Sequence, residues 1–129
     1  MFFKKEEVTS FGWLRLRLSG MRGAEEYEVR RSGDTCDVVR YQILYKNGEE
    51  RREPEQNASC PAEQMTALLS DCGVLKWDGF KGPNPRGVRD GWMFRFEAEI
   101  NGRRIRAEGS NNYPRHYREF REGLSDILN

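Results

Sequence analysis

Residues Gly91 to Ile100 alternate apolar and polar side chains, Asn101-Gly102 follows, and the alternation resumes from Arg103 to Ser110. Alternation on both sides of Asn-Gly predicts a β-hairpin, because both central residues of a tight hairpin turn take positive φ, which Asn and Gly tolerate. With Ile100 facing Arg103, the register sets Ala98 against Ile105, Phe96 against Ala107 and Phe94 against Gly109. The other face then pairs Glu99 with Arg104, Glu97 with Arg106 and Arg95 with Glu108. A slip by one residue would bury that charge ladder and expose Trp92, Phe94 and Phe96, so the register is strongly specified.

The same device recurs near the start of the chain. Leu14, Leu16 and Leu18 alternate with Arg15 and Arg17, and Glu25–Arg31 alternates around Tyr27 and Val29. Antiparallel pairing puts Leu16 against Tyr27 and Leu14 against Val29, with Arg17 meeting Glu26 and Arg15 meeting Glu28 on the other side. A third strand is expected over Asp37–Lys46, with Val39, Tyr41, Ile43 and Tyr45 inward. Asn47-Gly48 turns it into a short, charged edge strand, Glu49–Glu53, which Pro54 ends. Residues 54–59 read as a polar connection.

Pro61-Ala-Glu-Gln opens a helix whose buried stripe is Met65, Leu68, Leu69 and Cys72 and whose stop is Gly73. Val74–Trp77 reads as a brief strand or the cover of a core edge. Residues 78–90 form a long loop with three glycines and two prolines. Pro114 breaks the late hairpin, and a second helix is expected over Arg115–Leu128, capped by Asn111 or Asn112, with Tyr117, Phe120, Leu124, Ile127 and Leu128 inward. The order β-β-β-β-α-(β)-β-β-α predicts an α+β, two-layer fold: an antiparallel sheet of about six strands with its apolar face on two helices and its charged face in water. Residues 1–129 are expected to form a single domain, with 1–7 frayed.

Charge and composition narrow the functional classes. The chain has 129 residues, 22 basic and 21 acidic side chains and a net charge of +1. That balance argues against a nucleic-acid binder, although arginines far outnumber lysines. The ladder sets Arg15, Arg17, Arg95, Arg104 and Arg106 beside glutamates, which leaves Arg115, His116, Arg118 and Arg121 with Lys81, Arg86 and Arg89 as the place for a nucleic-acid surface. No apolar run suits a membrane span, and no leader is expected at the start, so a full-length chain of this sequence would be cytoplasmic. Cys36, Cys60 and Cys72 have no CxxC spacing and read as reduced thiols. No cofactor or metal is expected, and no HExxH, GxSxG, P-loop or GxGxxG pattern occurs.

Two enzymatic constellations can be written down: a Cys60–His116 pair, with Cys60 just ahead of a helix, and the Asp78/Asp90 carboxylates flanking the loop. Both have structural alternatives, since Asp78-Gly79 and Asp90-Gly91 also suit turns. The loop offers another possibility. Trp77, Phe80, Arg86 and Arg89 lie in or beside it, and Asn111 and Tyr113 follow the partner strand, a set of anchors typical of partner-binding surfaces. The alternative for Trp77 and Phe80 is that they fold back to close the core.

Trp77-Asp78-Gly79-Phe80, Asp90-Gly91, and Gly109-Ser110-Asn111 with Tyr113-Pro114, Tyr117 and Phe120 resemble, in this order, a group of small bacterial domains of unknown function. The resemblance spans roughly residues 74–128 and implies no activity, cofactor or catalytic residue. The leading expectation is a non-enzymatic binding domain, monomeric or weakly dimeric, that meets a protein partner through the 77–90 loop and the turn at 111–113. The alternatives are a small hydrolase-like enzyme and an arginine-mediated nucleic-acid binder.

Overall fold

The computed structural model describes residues 7–20, 23–86 and 91–129. Its strands are β1 (Phe11–Gly20), β2 (Gly23–Ser32), β3 (Thr35–Lys46), β4 (Glu49–Pro61), β5 (Lys81–Gly82), β6 (Met93–Ile100) and β7 (Arg103–Ser110). The helices are α1 (Ala62–Asp71) and α2 (Tyr117–Leu128), with a 3-10 turn at Val74–Trp77. The fold is α+β, and the strands form one seven-stranded sheet in the order β4-β3-β2-β1-β6-β7-β5. All neighbours are antiparallel except β5 and β7, which run parallel. The extra strand, β5, is two residues of the long loop laid beside Glu108 and Gly109. Val74–Trp77 is a helical turn rather than a strand.

Both charge-laddered hairpins have the register the sequence predicts. Leu14 faces Val29, Leu16 faces Tyr27, Ala98 faces Ile105 and Phe96 faces Ala107. Asn101 and Gly102 both have positive φ, as their turn requires. β1 joins the hairpins by pairing with β6, which sets Leu14 beside Ala98 and Leu16 beside Phe96. These residues, with Val29, Val38, Ile100 and Ile105, make the sheet's share of the core, and Met65, Leu69, Phe120 and Leu124 make the helices' share. Gly123 permits the close approach of α2 to α1, since a Cβ there would sit 2.6 Å from Leu68 Cδ1.

Three expectations are corrected, two of them in the β3–β4 region. β4 does not stop at Pro54 but runs to Pro61, and the residues read as a connection belong to the strand. Arg40 pairs with Gln56 and Tyr41 with Pro54, leaving Glu55 as a bulge between them. Proline is tolerated because β4 is the sheet's edge, where a missing N–H costs no ladder bond. The inward face of β3 is also inverted. Pairing of Val38 with Val29 sends Cys36 and Val38 to the core, and puts Val39, Tyr41, Ile43 and Tyr45 on the charged face. Finally, neither Asn111 nor Asn112 caps α2. The residue ahead of it is His116, in a left-handed conformation (φ 66°), with no side-chain cap.

The charged face is not uniformly wet. Glu26 and Glu28 are each only 6% exposed. Arg17 Nε lies 3.2 Å from Glu26, Arg52 Nη2 lies 2.7 Å from the same carboxylate, and Arg30 and Arg52 both donate to Glu28. The Arg52 guanidinium also lies 4.0 Å from the centre of the Tyr41 ring. Charges this enclosed persist because each has several partners.

Candidate functional site

Three segments meet at one end of the sheet: the loop after the 3-10 turn, the start of β6 and the turn after β7. Asn111 holds them together. Its φ of 52° aims the side chain back at the sheet. The Trp92 N–H donates to Asn111 Oδ1 at 2.9 Å, the Asn111 N–H donates to the Trp92 carbonyl at 2.8 Å, and Asn111 Nδ2 donates to Asn84 Oδ1 at 2.8 Å. Asn112 reaches the Pro83 carbonyl at 3.4 Å. The turn is packed so closely that neighbouring positions must be glycine: a Cβ on Gly109 would stand 2.1 Å from the Asn112 carbonyl oxygen, and one on Gly91 1.9 Å from Asn111 Oδ1. This packing gives the Gly-Ser-Asn run and the Asp-Gly pair a structural reason.

The predicted contact residues divide between core and surface. Trp77 is 2% exposed, and its reading as a surface anchor is corrected. Its ring meets Phe96 and Phe120 edge-on at centroid distances of 5.1 and 5.4 Å, and Nε1–H donates to the Arg115 carbonyl at 3.0 Å. A large ring whose N–H finds a buried carbonyl gains more inside than out. Phe80 is half-buried against Phe94. Tyr113 is exposed along one edge while its ring stacks on Tyr117 at 4.6 Å. Asn111 is the latch described above, Arg86 is exposed, and Arg89 lies outside the described residues.

Several large apolar side chains at this end are exposed, among them Tyr45 at 68%, which alternation along its strand places inward. Trp92, expected on the dry face with Phe94 and Phe96, is 48% exposed because it lies beyond the end of β6, and Met93 is 56% exposed. The Asn111 latch binds the Trp92 backbone, and its indole lies over Gly20, with ring atoms 3.1 Å from where a Cβ would be. Trp92 and Met93 point to opposite faces of the sheet, and beside Met93 a groove of about 640 Å³ opens on the charged face, with Arg17, Tyr45, Lys81, Met93, Arg95 and Glu108 in its lining. Joining the two hairpins brings Arg95 directly beside Arg17. Arg17 is satisfied by Glu26 and by Glu50, at 3.2 and 2.7 Å. Among the described residues Arg95 and Lys81 have no carboxylate within ion-pair distance. The groove is therefore locally basic although the chain is nearly neutral.

The structure does not bring Cys60 and His116 together. Cys60 is buried against Cys36, whereas His116 is exposed, 4.0 Å from Glu119. His116 shares the wall of a cavity of about 310 Å³ with Asp71 and Cys72 instead. Burial, with Glu119 and Asp71 nearby, pushes the Cys72 thiol up to about 11, away from nucleophilic use. Asp78 Oδ1 accepts from the Arg106 N–H at 3.1 Å, a bond that ties the turn after Trp77 to β7, and Asp90 lies outside the described residues. The helix-borne arginines are partnered: Arg118 with Glu122 at 3.1 Å and Arg121 with Glu25 at 3.2 Å. No group of His, Cys, Asp and Glu that could hold a metal occurs among the described residues, and no helix among them is long and apolar enough to cross a membrane.

No protein-family model matches the sequence, and no curated protein matches it.

Proposed function

We propose that this chain is a non-enzymatic protein-interaction module, and that its partner lays an extended segment in the groove lined by Tyr45 and Met93. The observation that carries this reading is the exposure of Tyr45 and Met93 in the same lining as Arg95 and Lys81, whose charges have no carboxylate within ion-pair distance among the described residues. An exposed aromatic beside an unpaired arginine is the usual composition of an energetic centre in an interface. The matching segment carries an apolar anchor for the Tyr45–Met93 wall and a carboxylate for Arg95 and Lys81. The long loop contributes through Lys81 and Pro83, with Arg86 at its rim. Trp77 serves by holding the loop's root in the core.

Panning a random-peptide library against the full chain tests this. Wild-type protein should enrich sequences with an aromatic or aliphatic residue next to Asp or Glu. The Met93→Ala and Arg95→Glu chains should lose that enrichment while melting within about 2 °C of wild type, as surface changes do. Enrichment that survives both substitutions, or none at all, overturns the reading.

A further inference from the structure

Cys36 and Cys60 are direct partners across β3 and β4, with their Sγ atoms 3.2 Å apart. Facing residues of an antiparallel pair have Cα separations of about 4.5 or 5.5 Å, and both fall within the range a disulfide spans. Closing from 3.2 Å to a bond of about 2.05 Å takes a small side-chain rotation and no backbone shift. Cys72 stands apart on α1's C-terminal turn, with no thiol partner.

We propose that Cys36 and Cys60 are a site of reversible oxidation, forming a cross-strand disulfide with peroxide as the oxidant. Cys60 reacts first. It lies on the edge strand and is 7% exposed, whereas Cys36 is fully enclosed. Burial, with Cys60 alongside, also pushes the Cys36 thiol up to about 12, which leaves it a poor first nucleophile. In the first step Cys60 Sγ attacks one peroxide oxygen. The S–O bond forms, the O–O bond breaks, and water leaves with the thiol proton, giving a sulfenic acid. In the second step Cys36 Sγ attacks Cys60 Sγ. The S–S bond forms, the S–O bond breaks, and hydroxide leaves as water with the Cys36 proton. Both sulfurs are oxidised and peroxide is reduced to two waters. A thiol reductant reverses the change.

The link would close a loop spanning the Asn47-Gly48 hairpin and fix β4 where it leads into α1, whose first N–H donates to the Asp34 carbonyl at 2.8 Å. The experiment exposes the full chain to dilute hydrogen peroxide, quenches with an alkylating agent under denaturing conditions, and reads intact mass and a non-reducing peptide map. Oxidised wild type should lose two hydrogens, take up one alkyl group in place of three, join the Cys36 and Cys60 peptides, and melt about 10 °C higher until reduced. Cys72→Ser should keep the link, and Cys36→Ser and Cys60→Ser should each abolish it. Three alkylated thiols after treatment, a link to Cys72, or sulfinic acid at Cys60 without a link would overturn the proposal. The wild-type map decides even where a serine variant fails to fold.

Discussion

Single side chains carry far more at two positions than the sequence suggests. Trp77 sits where both helices, the 3-10 turn and β6 converge, with two edge-on ring contacts and one hydrogen bond. Trp77→Ala should cost about 3–5 kcal/mol, read as a fall in the denaturant midpoint, whereas Trp92→Ala should leave the midpoint nearly unchanged. Local pattern places these two tryptophans the wrong way round, since alternation puts Trp92 on the dry face with Phe94 and the irregular loop after Trp77 suggests a surface anchor. Asn101 is legible as a turn residue, but its second task is not. Its Oδ1 accepts from the backbone of Thr9 and Ser10, at 2.8 and 3.1 Å, and its Nδ2 donates to the Glu7 carbonyl at 2.9 Å. Asn101→Gly keeps the positive φ and loses the clamp. We expect a loss of about 1–2 kcal/mol in thermal unfolding and faster amide exchange at Thr9 and Ser10.

Among the elements, those governed by near neighbours were the most readable. A two-residue turn fixes which side chains face each other, so alternation plus charge complementarity gave the registers of β1–β2 and β6–β7. β4 was misread because a proline suggests a stop unless the strand is known to be an edge. Had one bulge been allowed at Glu55, Cys60 would have fallen opposite Cys36 from the Asn47-Gly48 turn alone. The β3 face was misassigned because Tyr41 and Ile43 look like core. They lie instead under the ion cluster, Ile43 buried beside Ala24 and Tyr41 beneath Arg52. That cluster has a pH signature. Burial by itself would raise the Glu28 carboxyl, but hydrogen bonds from Arg30 and Arg52 outweigh it and hold the group below its ordinary value of 4.5. A depressed folded-state pKa means that its stabilisation is complete above about 4.5 and is lost as pH falls through the folded value. The urea midpoint should therefore drop on acidification below that point, and Glu28→Gln, less stable at neutral pH, should show a shallower acid limb.

At the scale of the whole molecule, sequence gave the layers but not the shape of the open face. The groove arises where two hairpins, each charge-balanced within itself, are joined side by side and Arg95 meets Arg17. Balance within each hairpin could be computed from its turn, while the junction depended on strand order, which no local pattern encodes. That order has a consequence in time. β1 lies inside the sheet, between β2 and β6, although it is the first strand to be synthesised. A nascent chain that has emerged through β4 can zip its four-strand meander, yet β1 then presents a bare backbone edge, and its leucines await α2, almost 100 residues further along the chain. Long-range closure of this kind is slow and leaves sticky intermediates. Translation itself thus sets a waiting period, during which the half-built sheet depends on its glutamates and arginines, or on a chaperone, to stay apart from its neighbours.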